Sequence, residues 1–596
     1  MRISGNERRG RSGVRWVLSI LGGVALLVVV VLTVAYFSGW LSNLVLLTRP
    51  AEYSARYYPD DTLLYGWVTL NPGDGQREQM ENIWAGFSDH SAFRNWTDDA
   101  EDSILDEYGV DLEDDVLVWI GPEISFAVRD IDLMKEEYEI AMTVDVRDPD
   151  AAKEFLTDLL DRQIEEYGAD FDRSSTDEFT LWVNDRRGSP SYAISDQLLI
   201  VASEERFLDA IVERVEGDRD GGLDQDEYFE AAQAKMLSRR FSSIYVGGQR
   251  ASAILEDSEF SDYIESSFYD EVPDWLVVSA GWVEDGLLLD VVSGYSGEVT
   301  ESILLSRPLS DPASVMPADT VAMLAFSFDP NLENWREVLE EYDFSEFMED
   351  AGGMDELEDL YALSDEFEFD PANLNVAHLL DIGLLGFDLF TGIDLEREFF
   401  AHLEGEMIVG VLEFDYGAVV DDPEENVVDA AALLAYKEDR EGVLSETAED
   451  FLDWLESLIH LDLDEIDVGG QGDATVVELS DSPYSPGYVL HDGYLTVATT
   501  SWMLERIVRL QNGEGDSLTE DAEYRRVHEH LEGEQYAHIY LDLQCLAGLG
   551  DIEESTLSKR EVRFLRESFS SLAIIYAVDG SYERTQMALT FFPGQD

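Results

Sequence analysis

The hydrophobic pattern of the chain begins with one uninterrupted apolar segment. Residues 16–37 span 22 positions without a charged side chain and are rich in Val and Leu. As a helix, this segment would be roughly 33 Å long, which is enough to cross the hydrocarbon core of a bilayer. A cleaved signal peptide is the alternative, but its apolar core would be shorter and followed by a small-residue cleavage site. The segment therefore predicts an uncleaved transmembrane helix over residues 16–37.

The charges beside this segment predict its orientation. Residues 1–15 carry five arginines against a single acid, Glu7. Because basic flanks remain on the cytoplasmic side, residues 1–15 are predicted to be a cytoplasmic tail and residues 38–52 a juxtamembrane linker. The sequence thus predicts a single-pass plasma-membrane protein that contacts the bilayer through residues 16–37 and is largely extracytoplasmic.

After the linker, the alternation of apolar and polar positions opens twice with the same short motif. Pro-x-Asp-Thr is followed by an apolar run and, 13 positions after the proline, by a second proline. The two copies lie 258 positions apart, and their repeat-defining residues are Pro59, Asp61, Thr62, Pro317, Asp319 and Thr320. In such turns a short polar side chain binds nearby backbone groups. Asp61 and Asp319 are therefore expected to accept backbone hydrogen bonds in the turns, and the motifs to be structural.

Further along, the two halves match at growing offsets. Residues 109–113 match 392–396 at an offset of 283, and from the first long amphipathic helix, predicted over 150–167, the offset is 296. Strand patterns arrive in neighbouring pairs, with helices between them in no strict alternation, which favours antiparallel over parallel sheet. The predicted fold class is α+β: a transmembrane helix, then two similar tandem α+β repeats with largely antiparallel sheets. The repeats are placed at 53–300 and 312–594, the second with an acidic insertion near 340–370.

Composition adds a strongly acidic surface. The chain has 129 Asp and Glu against 38 Lys and Arg, a formal net charge of −91. Such a surface repels nucleic acid, so nucleic-acid binding is not expected. The acidity is compatible either with a saline habitat or with cation binding, and the sequence leaves both open. The oligomeric state is left open as well. The single cysteine, Cys545, lies in an apolar run typical of a buried side chain, and no intramolecular disulfide can form.

One acidic loop is a candidate calcium site. Asp218, Asp220, Asp224 and Asp226 alternate around two glycines. An EF-hand requires Gly at loop position 6 and Glu at position 12, and counting from Asp218 those positions hold Leu223 and Phe229. An ordinary acidic turn is therefore the preferred interpretation. Calcium is the one cofactor left open, and otherwise no cofactor is expected.

No pattern of catalytic residues stands out. With so many acids, almost any window supplies a carboxylate pair, so spacing alone does not discriminate a hydrolase. Gly-x-Ser-x-Gly, phosphate-binding and dinucleotide-binding motifs do not occur in the sequence. Tyrosines that recur in both halves, Tyr192 with Tyr488 and Tyr245 with Tyr540, could line a ligand groove, although core packing is the commoner role.

The opening after the apolar segment carries a family resemblance. Tyr57, Pro59, Asp61, Thr62 and Tyr65 form a Tyr-x-Pro-x-Asp-Thr-x-x-Tyr pattern. This resembles an uncharacterised bacterial family of single-span membrane-anchored proteins catalogued only as a domain of unknown function. The resemblance implies an envelope protein and assigns no catalytic residue.

From the sequence, we expect a non-enzymatic, membrane-tethered envelope protein that binds a partner or has a structural role, although enzymatic activity is left open. One alternative is an extracytoplasmic hydrolase using carboxylates or a metal, which requires acids converging on a concave site. The other is a carrier of a lipid or small apolar ligand, which requires an apolar cavity between sheet and helices.

Overall fold

The protein is described from a computed structural model. The described residues are 52–297, 307–339, 376–412, 428–547 and 564–591, apart from gaps at 72, 89, 92, 96–110, 112–114, 133–136, 185–188, 218–220, 257–272, 460–461, 468–472, 479–483 and 565–566. The chain divides into two compact units. The first comprises residues 1–261, 271–298 and 581–584, and the second comprises residues 262–270, 299–580 and 585–596.

In the described part of the first unit, helices separate groups of one to four strands. Its described strands are β1 Leu64–Thr69, β2 Ile120–Asp132, β3 Glu137–Val146, β4 Phe171–Ser175, β5 Thr180–Asn184, β6 Ser191–Ile194, β7 Leu198–Ala202, β8 Ser242–Gly247, β9 Trp275–Val283 and β10 Gly286–Gly294. Its helices are α1 Asp74–Ser88, α2 Pro149–Tyr167, α3 Glu205–Glu216, α4 Glu227–Gln233 and α5 Gly248–Glu256. Hydrogen bonding orders the strands β4-β5-β6-β7-β3-β2-β1-β8-β9-β10, with antiparallel neighbours.

The second unit has the same order of strands. They are β11 Thr320–Ser327, β12 Leu403–Leu412, β13 Ala430–Tyr436, β14 Asp462–Asp467, β15 Asp473–Glu478, β16 Gly487–His491, β17 Tyr494–Ala498, β18 Ala537–Asp542, β19 Phe569–Asp579 and β20 Tyr582–Phe591, of which residues 582–584 belong to the first unit. The helices are α6 Leu332–Leu339, α7 Val376–Thr391, α8 Leu395–Glu398, α9 Glu441–Ile459, α10 Ser501–Gln511, α11 Ala522–His528 and α12 Leu543–Ala547. The strands follow the order β14-β15-β16-β17-β13-β12-β11-β18-β19-β20.

The long helix α2 shows how local sequence produces these elements. Asp148 caps its N-terminus by accepting hydrogen bonds from two backbone amides, Pro149 occupies the first turn, and Gly168 at φ 64° ends the helix. Its apolar face buries Leu156 and Leu160 in a core cluster beneath the helix. The predicted helix over 150–167 is confirmed.

The predicted fold class is wrong. Among the described residues, no helix is both long and apolar enough to cross a membrane, and residues 16–37 lie outside them. The twenty described strands belong to one antiparallel sheet, whereas the prediction gave each repeat its own. Hydrophobic alternation identifies a strand and its inward face, but hydrogen-bonding edges carry no sequence signal of where a sheet ends. The predicted acidic insertion, 340–370, also lies outside the described residues.

Candidate ligand-binding site

The second unit contains an apolar cavity of about 380 Å³ between its helices and its sheet. Helix α9 supplies Leu444, Thr447, Ala448, Phe451 and Leu452. These positions follow the i, i+3, i+4, i+7, i+8 spacing that places side chains along one face of a helix. In an ordinary amphipathic helix this apolar face would pack on the sheet. In α9 it forms one wall of the cavity.

Helix α7 and the segment after it supply a second wall. Phe387, Ile393, Leu395 and Phe399 line the cavity. The Phe387 ring stacks on Phe451 of α9 with 5.8 Å between centroids. This contact ties the two helices together at the cavity.

Four strands form the remaining wall. Thr475 of β15 lies opposite Tyr488 of β16, which in turn lies opposite Val497 of β17. Because directly opposed residues on neighbouring strands share a face of the sheet, all three side chains face the same side, and all three line the cavity. Val497 is nevertheless 45 % exposed, so the cavity communicates with solvent.

The cavity lining carries no charge. Its residues include none of the chain's 129 acids and none of its Lys, Arg or His. The Thr447 hydroxyl lies 3.0 Å from the backbone carbonyls of Glu398 and Val443, so it is satisfied within the protein. Apart from the hydroxyls of Thr447, Thr475 and Tyr488, its side chains are apolar, and such a lining suits an apolar group.

A charged clamp beside the cavity holds α7 in place. Arg336 of α6 donates to Asp381 of α7 at 2.6 Å, and to both carboxylate oxygens of Glu396 at 3.0 and 2.6 Å. These hydrogen bonds from Arg336 lower the pKa of Glu396 and raise that of Arg336. Bidentate Arg–carboxylate geometry is directional, so the clamp restrains α7 and the start of α8 in orientation as well as position.

The corresponding space in the first unit is filled. Strand pairing places Trp182 opposite Tyr192, as it places Thr475 opposite Tyr488. It also places Met142 opposite Val201, as it places Ala432 opposite Val497. Trp182 and Met142 pack on a core cluster that includes Trp119, and Trp119 contacts Phe155 of α2 at 5.3 Å between centroids. At the offset of 283, the position of Trp119 is occupied by His402. Three large side chains of the first unit thus correspond to smaller ones in the second.

The two opening motifs form the same turn. The Thr62 hydroxyl donates to the Pro59 carbonyl at 2.7 Å, and Thr320 makes the equivalent bond to Pro317 at 2.7 Å. Asp61, however, pairs with Arg129, and Asp319 pairs with Arg506, where backbone hydrogen bonds had been expected. Neither aspartate lines the cavity.

The structure brings the first opening motif next to the candidate calcium loop. Pro59 forms a β-bridge with Gly222, and the Leu223 amide donates to the Tyr58 carbonyl at 2.9 Å. The second unit repeats this contact between Pro317 and Ser517. These contacts fasten the opening segment of each unit to the loop before α4 or α11.

Of the four candidate calcium ligands, two can be placed, and one of them, Asp224, is exposed in the short 3-10 turn Leu223–Gln225. Asp218 and Asp220 lie outside the described residues. Asp226 caps α4 by accepting from the Tyr228 and Phe229 amides, and it pairs with Arg250 at 3.1 Å. Within the described part of the chain, no group of three or more His, Cys, Asp or Glu residues is placed to hold a metal. The calcium loop stays a prediction.

A hydrolase of the kind considered from the sequence requires two or more acidic side chains that converge on a concave site. In the described residues, raised carboxyl pKa values belong to Asp209 and Asp311, both chiefly because of burial. The pKa of Asp209 is raised further by Glu205 and Glu213, which lie on the same helix. Neither aspartate lines the cavity.

Of the tyrosines singled out from the sequence, Tyr488 lines the cavity, whereas Tyr192, Tyr245 and Tyr540 are buried core residues. The other lining residues were missed. The apolar spacing of α9 was the available signal, since it marks an inward face, but a full core and a cavity have the same pattern.

Comparison with known proteins places the chain by family. No curated protein matches it. Two solved structures, crystal forms III and I of TP0453, resemble part of it at 9 % identity and a TM-score of 0.23. They cover 42 % and 41 % of this chain and 83 % and 80 % of theirs. A family model described as protein of unknown function (DUF3352) matches residues 20–586, and the chain therefore belongs to that family.

Proposed function

We propose that the second unit binds a single lipid acyl chain, or an apolar ligand of similar shape, in the cavity beneath α7 and α9. The observation that carries this proposal is a 380 Å³ cavity with no charged lining residue, in a chain of net charge −91. Its volume falls within the roughly 300–1,000 Å³ typical of small-molecule sites. Of the functions compatible with the sequence, the apolar-ligand carrier is the one this geometry favours.

Energetics also favour an occupied cavity. At about 24 cal/mol per Å³, a closed and empty cavity of 380 Å³ would cost on the order of 9 kcal/mol. This is an upper bound, because one side is open, yet it is comparable with the total stability of a domain. Each methylene that enters gains about 0.8 kcal/mol. A ligand of about ten methylenes would therefore recover most of this upper bound.

The test uses dodecanoate, a soluble single-chain probe, with the full chain in about 1 M NaCl, where a Debye length near 3 Å screens the acidic surface. Isothermal titration should give one site. Thr475→Trp introduces the side chain that the first unit carries at the corresponding position, so the fold should accommodate it. We expect this variant to weaken binding by at least about tenfold, equivalent to ~1.4 kcal/mol.

The matched control is Leu324→Trp, because Leu324 lies on β11 of the same unit, is 41 % exposed and does not line the cavity. It should bind dodecanoate as the unmodified chain does. Absence of binding by the unmodified chain, or equal binding by Thr475→Trp, would contradict the proposal. A calcium site, an envelope protein partner and an extracytoplasmic location remain predictions from the sequence.

A further inference from the structure

The C-terminal end of α7 exposes the two most exposed large hydrophobic side chains in the described part of the protein. Leu389 is 71 % exposed and Phe390 is 79 % exposed, whereas the next, Trp502, is 50 % exposed. Single exposed apolar residues are ordinary, but two adjacent large ones at a helix end form a protrusion. We call Leu389 and Phe390 the α7 tip.

The α7 tip adjoins the cavity on both sides in the sequence. Phe387, two residues before Leu389, lines the cavity, and so does Ile393, three residues after Phe390. Between them, Gly392 at φ +76° ends the helix and lets the chain turn back. The tip therefore lies in the last turn of α7, between two segments that line the cavity.

The turn is held in a defined shape. The Thr391 hydroxyl donates to the Phe387 carbonyl at 2.7 Å and accepts from the Ile393 amide at 3.1 Å. The Arg336 clamp holds α7 before the tip through Asp381 and holds the start of α8 after it through Glu396. An exposed apolar pair on a restrained turn is presented to a partner without having to be ordered first.

We propose that the α7 tip inserts into the surface of an uncharged lipid bilayer and admits the acyl chain to the cavity. This inference rests on the proposed function, since a site for an acyl chain must exchange it with the membrane in which such chains reside. Helices that bind at the membrane interface bury Leu, Phe and Trp side chains among the headgroups and the start of the acyl chains.

The negative charge of the protein favours a zwitterionic bilayer over an anionic one. Binding to anionic lipid depends on clusters of Lys and Arg, whereas this chain carries a net charge of −91 and Asp388 directly precedes the tip. An anionic surface would repel the protein, so the partner is a zwitterionic one such as phosphatidylcholine. The repulsion acts over a Debye length of about 10 Å at 0.1 M salt and is largely removed at about 1 M.

The first experiment measures the rate at which a fluorescent fatty acid moves from phosphatidylcholine vesicles to the full chain. Leu389→Asp combined with Phe390→Asp should slow this transfer at least tenfold while leaving the affinity for dodecanoate in solution unchanged. Leu324→Asp, at an exposed apolar position away from the tip, should change neither. Vesicles with added phosphatidylglycerol should transfer more slowly at low salt than at high salt.

The outcomes separate this inference from the proposed function. If the unmodified chain does not bind dodecanoate, the proposed function fails. If it binds, but transfer is unaffected by the tip substitutions, the function stands and the membrane inference is overturned. A parallel loss of transfer and of dodecanoate affinity would also overturn it, because the tip would then be part of the binding site.

A site-specific label gives a second readout that the predicted segment 16–37 does not affect. In a Cys545→Ser background, a fluorophore attached through Leu389→Cys should be quenched by brominated phosphatidylcholine, and one attached through Leu324→Cys should not. Equal quenching at both positions, or at neither, contradicts insertion. A change at position 389 that depends on protein concentration without vesicles would identify a second copy of the chain as the occupant and overturn the proposal.

Discussion

The two units arrange ten strands in the same order, yet one has a filled core where the other has a cavity. Beneath α2, the first unit packs Trp119 and Leu156, 2 % and 1 % exposed, together with Trp182 and Met142. In the second unit, the positions that correspond to Trp119, Trp182 and Met142 carry His402, Thr475 and Ala432, and of these Thr475 lines the cavity. The backbone framework therefore does not decide between core and cavity.

What differs is the volume of the side chains at corresponding positions of the two units. Protein interiors are packed to crystal-like density, so removing an indole without compensation leaves a void. In the second unit, Phe387 and Phe451 surround the remaining space and do not fill it. The same arrangement of elements thus accommodates a filled core in one unit and a cavity in the other.

The largest expected effect is on the filled core. Trp119→Ala removes an indole that contacts Phe155 at 5.3 Å and donates to the Asp115 carbonyl at 2.8 Å. We expect the first unit to lose about 3–5 kcal/mol of its free energy of unfolding. Hydrogen exchange of the β2 and β3 amides in urea measures the free energy of unfolding of this unit separately from that of the other. Thr475→Ala, beside a space that is already open, should cost less than about 1 kcal/mol. Equal losses would remove the distinction between core and cavity.

A smaller difference between the units is expected in how their stability depends on pH. His538 is fully buried, neither of its ring nitrogens has a hydrogen-bond partner in the described structure, and at the offset of 295 its counterpart is Ser243. Burial, and then the neighbouring His528, lower the pKa of His538 from 6.5 to about 3. The unfolded chain therefore takes up the proton first. The contribution of neutral His538 to the free energy of unfolding is complete above pH 6.5 and is lost as the pH falls towards 3.

Between pH 6 and 4, the slope from this residue should approach 1.4 kcal/mol per pH unit. His538→Ser should remove that slope, as measured by hydrogen exchange of β18 and β19 across the pH range. Ser243→Ala in the first unit serves as the control. Identical pH dependence in His538→Ser and the unmodified chain would exclude a buried neutral histidine.

The smallest effect is expected at the opening turns. Asp61 pairs with Arg129 at 2.7 Å, but its side chain is 49 % exposed, so Asp61→Ala should cost less than about 1 kcal/mol. Thr62→Val should cost more, about 1–3 kcal/mol, because Thr62 is fully buried and its hydroxyl bonds to the Pro59 carbonyl. Urea unfolding measures both. Loss of dodecanoate binding in an Asp61→Ala protein of normal stability would show that the motif is functional.

The sequence by itself determined the local features. Helix α2 followed from its apolar spacing, and the two Pro-x-x-Thr turns followed from the motif, because these interactions lie within a few residues of one another. Even here, the backbone hydrogen bonds predicted for Asp61 and Asp319 were wrong, because both side chains pair with arginines. Arg129 and Arg506 are 68 and 187 positions away, on a strand of one unit and a helix of the other.

Only the tertiary structure decided where the cavity lies. The sequence around Thr475 does not show that it lines a cavity. It does so because β15 pairs with β16, and β16 with β17, which places Thr475, Tyr488 and Val497 on one face of the sheet. Whether that face packs solidly or encloses 380 Å³ depends on the volumes that α7 and α9 bring to it. Hydrophobic patterning records which side of each element faces inward. Close packing depends on the shapes that meet there, and those meet only in the folded chain.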